Sequence, residues 1–196
     1  MKVLVIIGSI RQGRVSDRLG KWVATEAKAL EGADIELVDL ADYDLPMFDE
    51  AISPQYNPNR KPVPEVKKWL DEMAEGDAFV LVTPEYNRSY PAVLKNALDY
   101  IDFQLAKKPV ALVAHGSTGG AQAVAHLRGV LPGLKSFTTP TATYLSDRVA
   151  DVIDEEGNLS EEVKARPYGP HPSLQATLGE LKWYSDALSA ARAKDK

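Results

Sequence analysis

Three short stretches of this chain are apolar at almost every position: Val3-Leu4-Val5-Ile6-Ile7, Ala78-Phe79-Val80-Leu81-Val82 and Pro109-Val110-Ala111-Leu112-Val113-Ala114. None of them alternates polar with apolar, so neither face of such a strand can lie in water. Strands of that kind belong to parallel sheets covered by helices on both sides. The segments between them carry the matching helical periodicity. Val15, Leu19, Trp22, Val23 and Leu30 form one stripe, with Gly32 expected to end it as a left-handed cap. Val66, Trp69, Leu70 and Met73 form a second, opened by Pro64 and stopped by Gly76. Val93, Ala97, Leu98 and Ile101 form a third after Pro91. Residues 121–131 read as a fourth helix and 173–193 as a last one, with Leu174, Leu178, Leu181 and Leu188 inward. A second strand is expected over residues 35–40. A weaker fifth lies within 134–145, where prolines and threonines blur its limits. The pattern predicts one α/β domain over residues 1–196, built on a doubly wound parallel sheet.

In such sheets ligands sit beyond the carboxyl ends of the strands, where the strand order reverses. Three loops occupy that position: those after the first, third and fourth strands. They are also the loops richest in glycine, hydroxyls and polar groups, Gly8 to Ser16, Thr83 to Pro91 and His115 to Gly120. A different kind of segment, residues 42–64, is interrupted by Pro46, Pro54, Pro58, Pro62 and Pro64. Loops of that length are uncommon and are usually functional or mobile. Its Tyr43, Met47, Phe48 and Tyr56 either cover a ligand, meet another subunit or pin the loop to the body.

The first loop comes close to two phosphate cradles and matches neither. Gly8 to Gly13 has the glycine spacing of the nucleotide triphosphatase loop, but Arg14 stands in the lysine position. Val15 stands where a magnesium-binding hydroxyl is needed. The dinucleotide fingerprint fails as well, because Ile10 replaces the glycine that lets a pyrophosphate approach the backbone. What remains is Ser9, Arg11 and Ser16 beside a helix N-terminus, a set that suits a terminal monophosphate. An equal alternative is that the serines merely cap the helix and Arg11 is solvated. The Pro84-Glu85-Tyr86-Asn87 segment offers backbone donors and acceptors and an aromatic face, which suits a flat heterocycle. Gly116, Ser117, Gly119 and Gly120 let backbone approach closely. Together the three loops describe a mononucleotide site.

Other chemistries find little support. The chain has no cysteine, so it has no disulfide framework, thiolate metal site or cysteine nucleophile. His115, His126 and His171 are scattered without metal-ligand spacing, and His115 reads as a satisfied loop histidine. Ser117 lacks the glycine two positions earlier that a hydrolase elbow requires. The carboxylates Asp39, Asp42, Asp44, Asp49 and Glu50 lack the spacing of a calcium loop and read as a solvated face. A net charge of −5 argues against nucleic-acid binding, and no apolar run reaches the length of a membrane span. One lysine followed by a strand, with no cleavage-site pattern, makes a cytoplasmic location the expectation.

Gly8-Ser9-Ile10-Arg11, then Thr83-Pro84-Glu85-Tyr86-Asn87 leading into Pro91 to Asp99, then Gly119-Gly120 with Leu127-Arg128, resemble the NADPH-dependent FMN reductase family. The resemblance spans roughly residues 1–145. It implies a flavodoxin-like three-layer sandwich with a five-stranded parallel sheet and helices on both faces. It implies FMN at the ends of strands one, three and four, with Ser9, Arg11, Val15 and Ser16 at the phosphate, Val15 through its backbone. Pro84, Glu85, Tyr86 and Asn87 would line the isoalloxazine, and Ser117 its other edge. NADPH or NADH would donate electrons to quinones, azo dyes, chromate or free flavin, and a homodimer or homotetramer is implied. Such chemistry belongs to the flavin and needs no dedicated acid or base from the protein. The alternative is a flavodoxin-type FMN electron carrier without direct nicotinamide reactivity. Arg11 and Arg14 favour the enzyme, because carriers have phosphate loops rich in Ser and Thr. A receiver-like switch would need acidic residues after the first strand, where Gly8 and Ser9 stand.

Overall fold

The computed structural model describes residues 1–194. Its strands are β1 (Lys2–Ile7), β2 (Asp34–Asp39), β3 (Ala78–Pro84), β4 (Pro109–His115), β5 (Phe137–Thr138) and β6 (Thr143–Leu145). All pair in parallel, in the order β2-β1-β3-β4, with β5 and β6 sharing the last position beside β4. The sheet therefore has five strand positions in the flavodoxin-like order, reversing direction of progression between β1 and β3. The fifth position is broken because two extra residues enter between the β5 and β6 registers. The break is held from outside the sheet: Thr141 N–H and hydroxyl donate to the Glu180 carboxylate at 2.7 and 2.6 Å.

The helices are α1 (Ser16–Ala27), α2 (Pro64–Glu75), α3 (Ala92–Asp99), α4 (Ala121–Val130), two single turns α5 (Val149–Val152) and α6 (Glu161–Lys164), and α7 (Pro170–Lys194). The side chains of each strand divide with a period of two, as strand geometry requires. Leu4, Ile6, Phe79, Leu81, Leu112 and Ala114 face α2, α3 and α4 in one buried cluster. Val3, Val5, Val80, Val82, Ala111 and Val113 face α1 and α7 in another. Two separate cores on the two faces explain why the central stretches of β1, β3 and β4 carry no polar position.

Several boundaries differ from the sequence expectation. α1 ends at Ala27, and Gly32, in the left-handed region at φ 69°, lies in the turn that follows rather than capping the helix. Gly76 does end α2, but in extended conformation; a Cβ there would stand 2.6 Å from the Phe79 ring. α7 starts at Pro170, earlier than expected, and Leu188 is only half-buried.

Candidate functional site

The loops after β1, β3 and β4 meet at the carboxyl edge of the sheet, at and beside the reversal point. Gly8 N–H donates to Val82 O at 2.8 Å, so the first loop begins as a continuation of the β1–β3 ladder. Its residues then divide sharply in role. Arg14 is consumed: its guanidinium makes a bidentate pair with Asp39 at the end of β2 and donates to the Ser9 carbonyl. Asp39 is thus a clamp rather than a member of a solvated acidic face. It also accepts from Ala41 N–H at 2.9 Å. Arg11, three residues before Arg14, is exposed and lies over the Tyr86 ring, 5.1 Å from its centroid. Val15 is the residue preceding α1 and provides no side-chain cap, so the first turn directs its backbone N–H groups outward. Neither serine caps that helix. Ser9 is fully buried, with its hydroxyl 2.9 Å from Tyr86 OH, and Ser16 is buried with its hydroxyl 2.9 Å from His115 Nε2.

The segment after β3 is a tight hairpin. Tyr86 and Ser89 exchange both backbone bonds, at 2.7 and 3.0 Å, around Asn87 and Arg88, whose φ values are 50° and 68°. Pro84 belongs to β3 and is buried. Glu85 N–H donates to His115 O at 2.9 Å, joining the hairpin to β4. The Glu85 carboxylate is engaged by the neighbouring loop and helix. It accepts from Gln122 N–H at 2.9 Å and from the Thr118 hydroxyl at 3.4 Å, so it caps the positive end of α4. Asn87 is exposed at the hairpin tip.

The loop after β4 approaches the sheet closely. Gly120 has φ 83°, and a Cβ on it would stand 2.5 Å from the Ala114 Cβ. Only glycine meets both conditions. Ser117 is exposed and, with Arg11, Val15, His115 and Gly116, lines a cavity of about 360 Å³ closed by Ser146 to Val149. Pro84 to Asn87 are outside that lining. They join it through the Tyr86–Ser9 hydrogen bond and the Arg11–Tyr86 contact. Burial, and secondarily the Arg11 guanidinium, push the His115 pKa from its usual 6.5 down to about 4, so the imidazole is neutral at pH 7.

Two groups of site residues were not anticipated. His115 is part of the cavity wall and orients Ser16; its position at a strand end was the available signal. Ser146 to Val149 follow the broken fifth strand, where no pattern in the sequence marks them. Asn96, within the most distinctive stretch of the resemblance, turns out to act on the long segment after β2. Asn96 accepts from Phe48 N–H at 2.8 Å and donates to Pro46 O at 2.7 Å. Among the described residues there is no cluster of three or more His, Asp or Glu able to hold a metal.

The three loops bring together the exposed Arg11 guanidinium, open helix N–H groups, two hydrogen-bonded hydroxyls and glycine-rich backbone, groups whose chemistry suits a phosphate monoester and a flat ring. Comparison with known proteins points the same way. A family model described as NADPH-dependent FMN reductase matches residues 1–151. An NAD(P)H-dependent FMN reductase of Schizosaccharomyces pombe is 38% identical over 145 residues, covering 74% of this chain and 72% of that one. A 2-hydroxy-1,4-benzoquinone reductase of a Burkholderia species is 31% identical over 172 residues, covering 83% and 87%. The solved structure of FerB, a flavoenzyme NAD(P)H:(acceptor) oxidoreductase of Paracoccus denitrificans, superposes with a TM-score of 0.69 over 96% of this chain and 97% of that one, at 24% identity.

Proposed function

The chain belongs to the NADPH-dependent FMN reductase family, and we propose that it passes hydride from NADPH or NADH to small acceptors such as quinones through FMN held by the three loops. The observation that carries the assignment of the loops is the division of labour between Arg11 and Arg14. One guanidinium is locked in the scaffold, and the other is left exposed beside an uncapped helix N-terminus. That is the arrangement a dianionic phosphate requires.

FMN, when bound, supplies the hydride chemistry. The protein supplies the rest. Arg11, the Val15–Ser16 backbone and the Ser16 hydroxyl take the phosphate, and the Ser9 hydroxyl, fixed by Tyr86, supports the loop beneath. Neutral His115 holds Ser16 in place without adding charge. The Pro84–Asn87 hairpin and the Gly116–Gly120 loop face the ring with backbone groups, Ser117 standing at its edge. Glu85 serves through its backbone, because its carboxylate caps α4. Fixed N–H dipoles at these loops stabilise negative charge on the ring without reorganising.

A homodimer or homotetramer is supported by the large apolar side chains left in solvent on the long segment after β2, Met47 at 75% and Tyr56 at 79% exposure. No described helix is long and apolar enough to cross a membrane. We take a cytoplasmic location as part of this proposal.

The test is anaerobic addition of NADPH, then NADH, to the FMN-loaded protein. The oxidised flavin absorbance should bleach within the mixing time of at least one donor and return when a quinone is added. A flavin that stays oxidised with both donors, yet is reduced by a partner protein, would mark an electron carrier instead.

A further inference from the structure

The hairpin after β3 carries an arginine where its backbone favours glycine. A two-residue turn with both central residues at positive φ is normally Asn-Gly or Asp-Gly, because a side chain at the second position is strained. Here Asn87 has φ 50° and Arg88 φ 68°. Arg88 is exposed, and among the described residues its guanidinium has no hydrogen-bond or ion-pair partner. No polar contact of the Arg88 side chain among the described residues offsets that strain.

The turn around it is rigid. Tyr86 is tied to Ser9, Glu85 to Gln122, and the Ser89 hydroxyl lies 2.9 Å from His126 Nδ1 on α4. The loop after β1 and helix α4 thus hold the hairpin that presents Arg88 at the rim of the proposed flavin site. Rigid presentation lowers the ordering cost of a long cationic side chain's contact with a ligand. The nearest acidic side chain in the turn, Glu85, is committed to α4. Arg11 lies against the other side of the hairpin over the Tyr86 ring. A chain of net charge −5 so presents two uncommitted guanidinium groups on this rim.

We propose that Arg88 is a specificity-determining residue that binds a phosphate of the nicotinamide dinucleotide donor. The inference rests on the flavin reading above, since it is that site which brings the donor to the hairpin. Two phosphate sources share this chemistry, the 2′-phosphate that NADPH alone carries and the pyrophosphate common to both donors. Arginine suits either, through charge and a paired set of N–H donors.

The experiment compares Arg88→Gly, which removes both strain and charge, with Arg88→Gln, which removes charge alone, and Arg88→Lys, which keeps it. FMN affinity, measured first by flavin fluorescence, should match the parent in all three. If the parent itself fails to bind FMN, the flavin reading falls before this inference is reached. Arg88→Gly should melt at a higher temperature than the parent. In Gly and Gln variants KM for NADPH should rise roughly tenfold with kcat retained, and NADP⁺ binding measured by calorimetry should weaken in parallel. The salt dependence of KM should flatten. Lys should retain most of the parent's affinity. A larger loss with NADPH than with NADH assigns the 2′-phosphate, and equal losses assign the pyrophosphate. Unchanged KM for both donors, or a change confined to the acceptor, overturns the proposal while leaving the flavin site standing.

Discussion

The loop after β1 and the long segment after β2 leave neighbouring strands of one sheet, the first with Arg11 and Arg14 and the second with Arg60, and both carry further hydrogen-bonding groups. Their fates are opposite. In the long segment the one arginine is spent inside the protein. Arg60, whose side chain is 7% exposed, is bidentate to Glu50 at 2.8 Å and reaches Asp102 at 3.3 Å, while Pro46 and Phe48 are held by Asn96. In the first loop, Arg14 is spent in the same way on Asp39, but Arg11 and the first turn of α1 are left open. A polar loop becomes a site through the groups the fold leaves uncommitted. Its count of charges does not decide the matter. Substitutions in the two regions should separate stability from binding.

The largest effect belongs to Arg60. Arg60→Ala leaves Glu50 and Asp102 facing each other without their cation, and should cost about 3 to 5 kcal/mol in denaturant unfolding. The folded fraction should bind FMN as the parent does. A loss of FMN affinity in the folded fraction would mean that the long segment takes part in the site.

His115 joins the two behaviours, since it is a buried group in the site wall. At pH 7 it is neutral in the folded protein and mostly neutral in the unfolded chain, so its proton linkage there is small. Below pH 6.5 the unfolded chain takes up a proton that the native site refuses until about pH 4. Stability should therefore fall with decreasing pH across that window, by up to ~3 kcal/mol. His115→Asn should flatten this part of the unfolding profile. An unchanged slope between pH 6.5 and 4.5 would show that His115 protonates as freely in the folded protein as in the unfolded chain.

The contrast also explains what could be read from the sequence. β1, β3 and β4 were legible because strands buried on both faces have no polar position to confuse the pattern. A fifth strand was legible within 134–145, but its break into β5 and β6 was not, because Thr141 between them is held by Glu180, far away in the chain. The three loops were legible as a site, since each follows a recognisable strand. Arg11 and Arg14 look equivalent in sequence. Only the position of Asp39 at the end of the neighbouring strand tells them apart. That the Glu85 carboxylate caps α4 becomes visible only when the start of that helix is placed beside it. The wall formed by Ser146 to Val149 depends on where the broken edge strand ends, and local pattern does not fix that point.

The central claim is that the first loop is the phosphate end of an FMN site and that Arg11 is its free cation. The most direct measurement is the affinity of the parent and of Arg11→Ala for FMN and for riboflavin, which differ only in the phosphate. The parent should prefer FMN strongly, and Arg11→Ala should shrink that preference by roughly 10- to 100-fold while leaving riboflavin binding and the melting temperature near the parent values. A parent that binds the two flavins equally, or an Arg11→Ala protein that keeps the full preference for FMN, would contradict the account.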